Sequence, residues 1–370
     1  MLNNKTEMQI NKCFQSVLNF QKDIVMIDGR NRKEIYSIDD DNNLYLFYKK
    51  NGERTEFTPK LIRNNVKTFA ATNIAKTNQV AIACCIEDDV CLVKTESPES
   101  VEEKDFVKLD FSGVLGGKKL VPSRLLLSAL DSKVTLFVEM RDDNGLVEQF
   151  SCLLSDQEPY NIRYFPLATN FSAVIYCAAG RAINQYVDGA YFFGMYGKSS
   201  QLIYSPSYNV FGSTPPAPIR LKSDYKIDCI CSLPLKAEIG THLFCVGEKK
   251  LYFYPFDRQK DMSRIDNPNP DCLISSEFFC NAKKIAANRS DDAVYVYILN
   301  QMGQLCFTYA KCKDEYFDEF VKPVIMKENV FYFDVCDQGV MNICQGISAL
   351  FGKYSALSGE WEFDSTMLPD

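Results

Sequence analysis

One unit recurs seven times along the chain, and it constrains the fold more than any other feature. It is a polar turn that runs into a short apolar strand centred on Leu or Val. It reads DDDNNLYLF around Leu44, EDDVCLV around Val90, DDNGLVEQF around Leu146 and SSQLIY around Leu202. Three further copies follow: EKKLYFY at Leu251, MGQLCFTY at Leu305 and ISALFGKY at Leu350. The centres fall about 50 residues apart, a period that belongs to repeat architectures.

Each unit holds more than one strand-forming run. Upstream of each turn lies one β-rich run, such as Ile35–Ile38, Val80–Cys85 and Ala293–Ile298, and upstream again lies another, such as Ile24–Ile27, Val66–Ala71 and Val330–Asp334. A weaker run follows the turn, at Thr55–Phe57, Phe106–Leu109, Ile162–Phe165, Ile219–Leu221, Leu273–Ser275, Phe320–Lys322 and Trp361–Phe363. The first two runs of a unit are almost continuously apolar, as strands buried on both faces are. The last is the most polar, as an outer edge strand is. Seven units of about four short antiparallel strands predict an all-β chain folded as a seven-bladed β-propeller. The alternative, a two-domain β-sandwich, does not call for seven copies of one pattern. The propeller is expected over residues 21–370 as a single domain. Residues 1–20, where Ile10, Phe14, Val17 and Leu18 follow a near-helical spacing, are expected to form an arm.

Among propellers, several signatures are missing. No Trp-Asp dipeptide closes a unit as in WD40 chains, and the Gly-Gly pair of kelch repeats occurs once, at Gly116–Gly117. The turns DDDNNLYLFY and DDNGLVEQF faintly resemble the hairpins of fucose-binding lectin propellers of the fungal type. That resemblance covers two or three turns and implies a sugar-binding module. Those lectins repeat Trp, Arg and Glu in every blade, whereas Trp361 stands alone here. No site residue is carried over from them.

The chain holds 48 acidic and 41 basic residues, for a net charge of −7. That balance argues against general binding to nucleic-acid phosphates. No apolar run approaches the length of a membrane-spanning helix. The N-terminal residues lack a signal-peptide pattern, which points to the cytoplasm. The 15 cysteines are scattered through apolar runs, with no CxxC and a single histidine. They read as free thiols in a reducing compartment rather than as zinc ligands. No cofactor or metal is expected.

Several constellations bear on function. Asp39, Asp41 and Asn43 alternate as calcium ligands can, but Leu44 stands where the loop glycine belongs and Lys50 where the bidentate Glu belongs, so a solvated hairpin tip is the better reading. His242 opens a strand and reads as structural. Cys229 and Cys231 share one strand face and read as core. Asp28, Asp228 and Asp334 lie on inner strands, where they either line the central channel as an acid site or meet solvent at strand ends.

The turn tips carry uneven charge. Asp39, Asp40, Asp41, Glu87, Asp88, Asp89, Asp142 and Asp143 occupy units one to three, while Lys198, Lys249 and Lys250 occupy four and five. On one face of a disc, this pattern would dock a partner of matching charge. Unit four has the longest loops, where Tyr186, Tyr208 and Phe211, flanked by Pro215, Pro216 and Pro218, form a candidate aromatic anchor. Three function classes remain. A non-catalytic protein-interaction scaffold is the favoured one, since it needs none of the missing catalytic motifs. A lectin-like glycan binder and an enzyme using channel carboxylates are the alternatives, with the balance leaning away from an enzyme.

Overall fold

The structure is a computed structural model that describes residues 24–28, 32–50, 57–74, 77–130, 133–154, 162–166, 173–181, 188–196, 199–206, 227–234, 241–254, 271–289, 293–313, 316–336, 339–344, 348–355 and 360–367. The expected arm over residues 1–20 and the run Ile219–Leu221 lie outside them.

Among the described residues the strands form seven antiparallel sheets in chain order. Sheet one holds β1 (Ile24–Asp28), β2 (Arg32–Ile38), β3 (Leu44–Lys50) and β4 (Thr58–Arg63). Sheet two holds β5 (Val66–Ile74), β6 (Gln79–Ile86), β7 (Asp89–Thr95) and β8 (Val107–Lys108). Sheet three holds β9 (Val121–Leu130), β10 (Lys133–Arg141), β11 (Val147–Leu154) and β12 (Ile162–Pro166), and sheet four holds β13 (Ala173–Arg181), β14 (Asp188–Tyr196) and β15 (Ser199–Pro206). Sheet five holds β16 (Cys229–Pro234), β17 (Thr241–Gly247), β18 (Lys250–Tyr254) and β19 (Asp271–Ser275). Sheet six holds β20 (Ala282–Arg289), β21 (Ala293–Asn300), β22 (Leu305–Lys313) and β23 (Tyr316–Phe317), with β24 (Val324–Lys327) also paired to β22. Sheet seven holds β25 (Val330–Cys336), β26 (Gly339–Cys344), β27 (Ser348–Ser355) and β28 (Glu360–Met367).

The first strands of successive sheets, β1, β5, β9, β13, β16, β20 and β25, touch in that order, and β25 meets β1. This is a β-propeller. Its core is a series of seams between neighbouring sheets rather than one central mass. Ala70, Ala83 and Leu92 of sheet two pack with Leu125, Leu136 and Val138 of sheet three. Ile38 and Leu46 of sheet one meet Phe69, Ile82 and Cys84 of sheet two. Phe244 and Phe253 meet Ile285 and Val296 across the fifth and sixth sheets. Tyr297 and Phe307 meet Phe333 across the sixth and seventh. The described middle strands β2, β3 and β6 are largely buried, and every residue of β21 is. The edges are not, as in β4 and β24.

Two strand expectations shift. The last strand of sheet one is Thr58–Arg63, C-terminal to the Thr55–Phe57 run, and it carries Pro59. Proline is tolerated there because an edge strand leaves one row of N–H groups outside the ladder. In sheet six, Phe320–Lys322 is not a strand. Phe320 is buried, the edge is built by β24, and the N–H of Val321 donates to the Tyr309 carbonyl at 2.9 Å.

Asparagine sets three of the steps from one sheet to the next. Asn65, Asn281 and Asn329 have positive φ of 62 or below, and each immediately precedes a first strand. In each of those strands the register skips one residue directly after the first pair, between Val66 and Thr68, Ala282 and Lys284, and Val330 and Tyr332. An Asn in the left-handed region followed by a bulge re-aims the strand at the inner edge of the sheet. The preceding hairpin is tied to this corner, since the N–H of Val66 donates to the Asn42 carbonyl at 2.8 Å and that of Val330 to the Gly303 carbonyl at 2.9 Å. Gly303 is required there: its φ is +77, and an added Cβ would sit 3.3 Å from the Val330 oxygen.

The β17–β18 hairpin puts both Glu248 (φ 49) and Lys249 (φ 67) in the left-handed region. Two such residues define a type I′ turn, whose preferred pair is Asn-Gly. The double substitution Glu248→Asn and Lys249→Gly is therefore expected to raise stability by about 1 kcal/mol. It removes only the exposed Lys249–Glu277 ion pair, a contact of small worth. Urea midpoints of wild type and variant check this.

Candidate functional site

The hairpins that join the second and third strands share one face with the sheet-to-sheet corners, as the Asn42–Val66 and Gly303–Val330 bonds require. Three hairpins have the same internal design. Asp39 Oδ1 accepts the backbone N–H groups of Asp41 (3.0 Å) and Asn43 (2.8 Å), while Oδ2 accepts from Asn43 Nδ2 at 3.1 Å. Asp142 Oδ1 accepts from the N–H groups of Asn144 (2.9 Å) and Leu146 (2.7 Å). Asn300 Oδ1 accepts from those of Met302 and Gln304, both at 3.0 Å. The fourth residue of each turn, Asn42, Gly145 or Gly303, has positive φ. This is a tight turn closed by a left-handed residue and locked by the side chain of its first residue.

The acids of these tips therefore divide into two roles. Asp39 is buried and Asp142 half-buried, and the side chains of both are bonded within their own turns. Asp40, Asp41, Glu87, Asp88 and Asp143 are exposed, and Asp89 is half-buried. Lys67 lies 3.6 Å from Asp88 and Lys108 2.7 Å from Asp89, so part of this charge is offset locally. On sheet five, Glu248, Lys249 and Lys250 are exposed.

Of the inner acids, Asp334 and Asp228 lie on or beside first strands of different sheets. Asp334, on β25, lies with its Oδ2 3.5 Å from Lys284 Nζ on neighbouring β20. Lys284 Nζ also donates to the Tyr332 hydroxyl at 2.8 Å and sits 4.0 Å from that ring's centroid. Burial works against the Lys284 ammonium, but Asp334 and then Tyr332 outweigh it and hold its pKa above the ordinary lysine value. Asp228 lies immediately before β16, one sheet beyond β20, and its backbone N–H donates to the Val246 carbonyl at 2.8 Å. Asp28 closes β1, and its side chain is outside the described residues. Asp334 thus works as half of an ion pair that joins two first strands.

Two buried carboxylates were not singled out from the sequence: Glu139 interrupts the apolar run of β10, whereas Glu34 follows Arg32 and Lys33 and carries no such signal. Glu34 on β2 accepts from the Tyr36 hydroxyl at 2.6 Å and pairs with Arg32. Arg32 Nη1 also reaches Glu99 at 3.0 Å, and Nη2 donates to the Glu96 carbonyl at 2.6 Å. Burial raises the Glu34 pKa, and Tyr36 and Arg32 only partly reverse it. Glu139 on β10 is also opposed by burial. Even so, Arg141 (2.7 Å), Gln149 (3.0 Å) and Ser123 (3.0 Å) together hold its pKa below the ordinary value.

Tyr186, Tyr208, Phe211 and Lys198 lie outside the described residues. His242 pairs with Leu233 in the β16–β17 register. Cys229 and Cys231 are buried in the seam with Phe244 and Val246. Among the described residues no group of three His, Cys, Asp or Glu side chains is placed to hold a metal ion, and no helix is long and apolar enough to cross a membrane.

No protein-family model and no curated protein matches the chain. Among solved structures, the lectin BP39L from Burkholderia pseudomallei is similar with a TM-score of 0.56 and 12% identity, over 92% of this chain and 97% of that one. The WD40 domain of SCAP from fission yeast is similar with a TM-score of 0.50 and 10% identity, over 93% and 86%. A prolyl endopeptidase structure gives 0.50 and 8%, over 98% of this chain and 54% of the other. These likenesses establish the propeller fold.

Two predictions follow from the carboxylates. Asp39→Ala is expected to cost about 1–3 kcal/mol by leaving two turn N–H groups and Asn43 without their acceptor, while Asp39→Asn keeps most of the stability. Chemical denaturation of the two variants separates them. For the buried acids the signs oppose. Glu139, depressed when folded, contributes stability above its unfolded value of 4.5 that is lost as pH falls through its folded pKa. Glu34, raised when folded, contributes stability below 4.5 that is lost as pH rises through its folded pKa. Unfolding midpoints at pH 7 should therefore fall for Glu139→Gln and rise for Glu34→Gln, and the Glu34→Gln gain should vanish near pH 4.

Proposed function

We propose that the protein is a non-catalytic binding propeller and that a protein partner docks on the hairpin face of sheets one to three. In this reading residues 21–370 form one ring of seven blades, residues 1–20 form an arm, and the protein works in the cytoplasm. The contact sequence of the first strands, from β1 round to β25 and back, supports the ring. The free thiols among the described cysteines fit a reducing compartment.

One observation carries the docking reading. Three consecutive hairpins expose Asp40, Asp41, Glu87, Asp88 and Asp143, and two of these hairpins are locked from inside by Asp39 and Asp142. Carboxylates on pre-ordered turns lose little entropy on binding and steer a basic partner surface. The buried acids Glu34 and Glu139 and the inner acid Asp334 are all bonded to protein groups, which supports binding over hydrolysis.

A second reading, carbohydrate binding, has its support in the fold shared with a bacterial lectin over 97% of that lectin's chain. One experiment addresses both. The full chain, immobilised, is used to capture protein from its native source beside a variant carrying Asp40→Lys, Asp41→Lys, Asp88→Lys and Asp143→Lys. A stoichiometric protein partner whose affinity drops about tenfold or more in the variant is expected. Equal capture by both would remove the docking reading, and a hit on a glycan array without any protein partner would replace it with the lectin reading.

A further inference from the structure

A cysteine pair at the seam of sheets one and two is not used by the docking reading. Cys84 and Cys91 stand directly opposite each other in the β6–β7 register, so both side chains leave the same face of the sheet. Cys84 packs in the seam with Ile38, Leu46 and Ile62 of sheet one. Cys85 takes the other face, where its thiol donates to the Pro122 carbonyl of sheet three at 3.5 Å. Cys84 and Cys91 are both free thiols.

The spacing suits a cross-link. Directly opposed residues of an antiparallel pair have Cα atoms about 4.5–5.5 Å apart, within the range of about 4.4–6.8 Å that a disulfide needs. Their Cβ atoms lie about 4.5–5.5 Å apart, wider than the ~3.8 Å mean of a disulfide. The strands must close slightly, so the bond would be strained and readily reduced. Access is graded: Cys84 is 0% exposed and Cys91 9%. Arg63, at the end of β4, is near enough to act electrostatically on both thiols. Burial pushes the two thiols up, and the Arg63 guanidinium pulls each part of the way back. The same guanidinium is anchored by the Glu103 carbonyl at 2.8 Å and lies over the Phe106 ring at 5.7 Å.

We propose that Cys84 and Cys91 form a reversible redox site, oxidised by hydroperoxides to a cross-strand disulfide and restored by thiol reductants. Cys91, the more accessible, is the attacking thiolate. Its sulfur takes the terminal oxygen of the hydroperoxide, the O–O bond breaks, and the alcohol or water leaves. The Cys84 sulfur, as thiolate, then attacks the sulfenic sulfur of Cys91. The S–S bond forms, the S–O bond breaks and, after proton uptake, water leaves. Two thiols lose two electrons and two protons, and the peroxide gains them.

The test uses the folded full chain treated with hydrogen peroxide, then alkylated, digested and sequenced by mass spectrometry. Trypsin places Cys84, Cys85 and Cys91 on one peptide, Thr77–Lys94. The expected product is that peptide lighter by two hydrogens, with Cys85 alone alkylated, and it reverts with dithiothreitol. Cys85→Ala is expected to form the same bond. Arg63→Gln is expected to slow bond formation several-fold near neutral pH and less at alkaline pH, a difference that a merely structural Arg63 would not show. Alkylation of all three cysteines, a bond that includes Cys85, or over-oxidation of Cys91 with Cys84 still a thiol would overturn the proposal.

Discussion

The fold depends on the burial of sheet faces against neighbouring sheets. Among the described residues, sheets such as β5–β8 present two apolar faces, and water can cover neither. A four-stranded unit such as β5–β8 cannot bury Ala70 and Cys84 by itself, because they face opposite seams. The next sheet supplies the missing contact on each side, so stability is shared between neighbours in the manner of repeat proteins. At roughly 25 cal/mol per Å² of apolar surface removed from water, seams filled by residues as large as Phe69, Phe137 and Phe244 dominate the favourable side of folding. Closure of the first strands on one another then leaves no sheet without two neighbours.

The seams explain why the polar corners are so regular. A sheet packs on its neighbour only if the chain leaves one outer edge and re-enters at the next inner edge with the correct rotation. Asn65, Asn281 and Asn329, each followed by a bulge, supply that rotation. The hairpins then brace the corner through the carbonyls of Asn42 and Gly303. Asp39, Asp142 and Asn300 hold the hairpins in shape, so one short carboxylate or amide per turn converts a flexible loop into part of the frame. The polar surface of this face is thus built on rigid supports.

The apolar runs were legible in the sequence because burial on both faces leaves continuous hydrophobic stretches, and the first three strands of most units were placed from them. The outer strands were legible in part: Phe106–Leu109, Ile162–Phe165, Leu273–Ser275 and Trp361–Phe363 coincide with β8, β12, β19 and β28, whereas Thr55–Phe57 and Phe320–Lys322 miss the edges built by β4 and β24. An edge strand buries few side chains, so nothing in Thr58–Arg63 distinguishes it from the neighbouring loop, and Pro59 argues against a strand until its edge position is known. In the sequence the tip acids form one class, yet Asp39 is buried and bonded within its own turn whereas Asp40 is exposed. The distinguishing signal, an acid four residues before the end of a turn that contains Asn or Gly at its fourth position, was present in DDDNN and DDNGL. The Lys284–Asp334 pair had no local signal, because its partners lie on different sheets, about one repeat apart in sequence.

The contrast between Glu34 and Glu139 bears on where chemistry can reside in this propeller. Both carboxylates are buried, but Glu139 receives three donor groups and favours its charge, whereas Glu34 shares Arg32 with Glu99 and has its protonated form favoured. Burial sets the cost, and the number of donors decides its sign. Glu34 is joined to the buried Tyr36 hydroxyl at 2.6 Å, whereas Glu139 is bonded to Arg141, Gln149 and Ser123. Lys284 and Asp334 join two first strands, Glu34 and Glu139 are bonded to protein groups, and Asp40, Asp41, Glu87, Asp88 and Asp143 are exposed at the turn tips. A fold carried alike by a lectin, a WD40 domain and part of a peptidase does not by itself set a function.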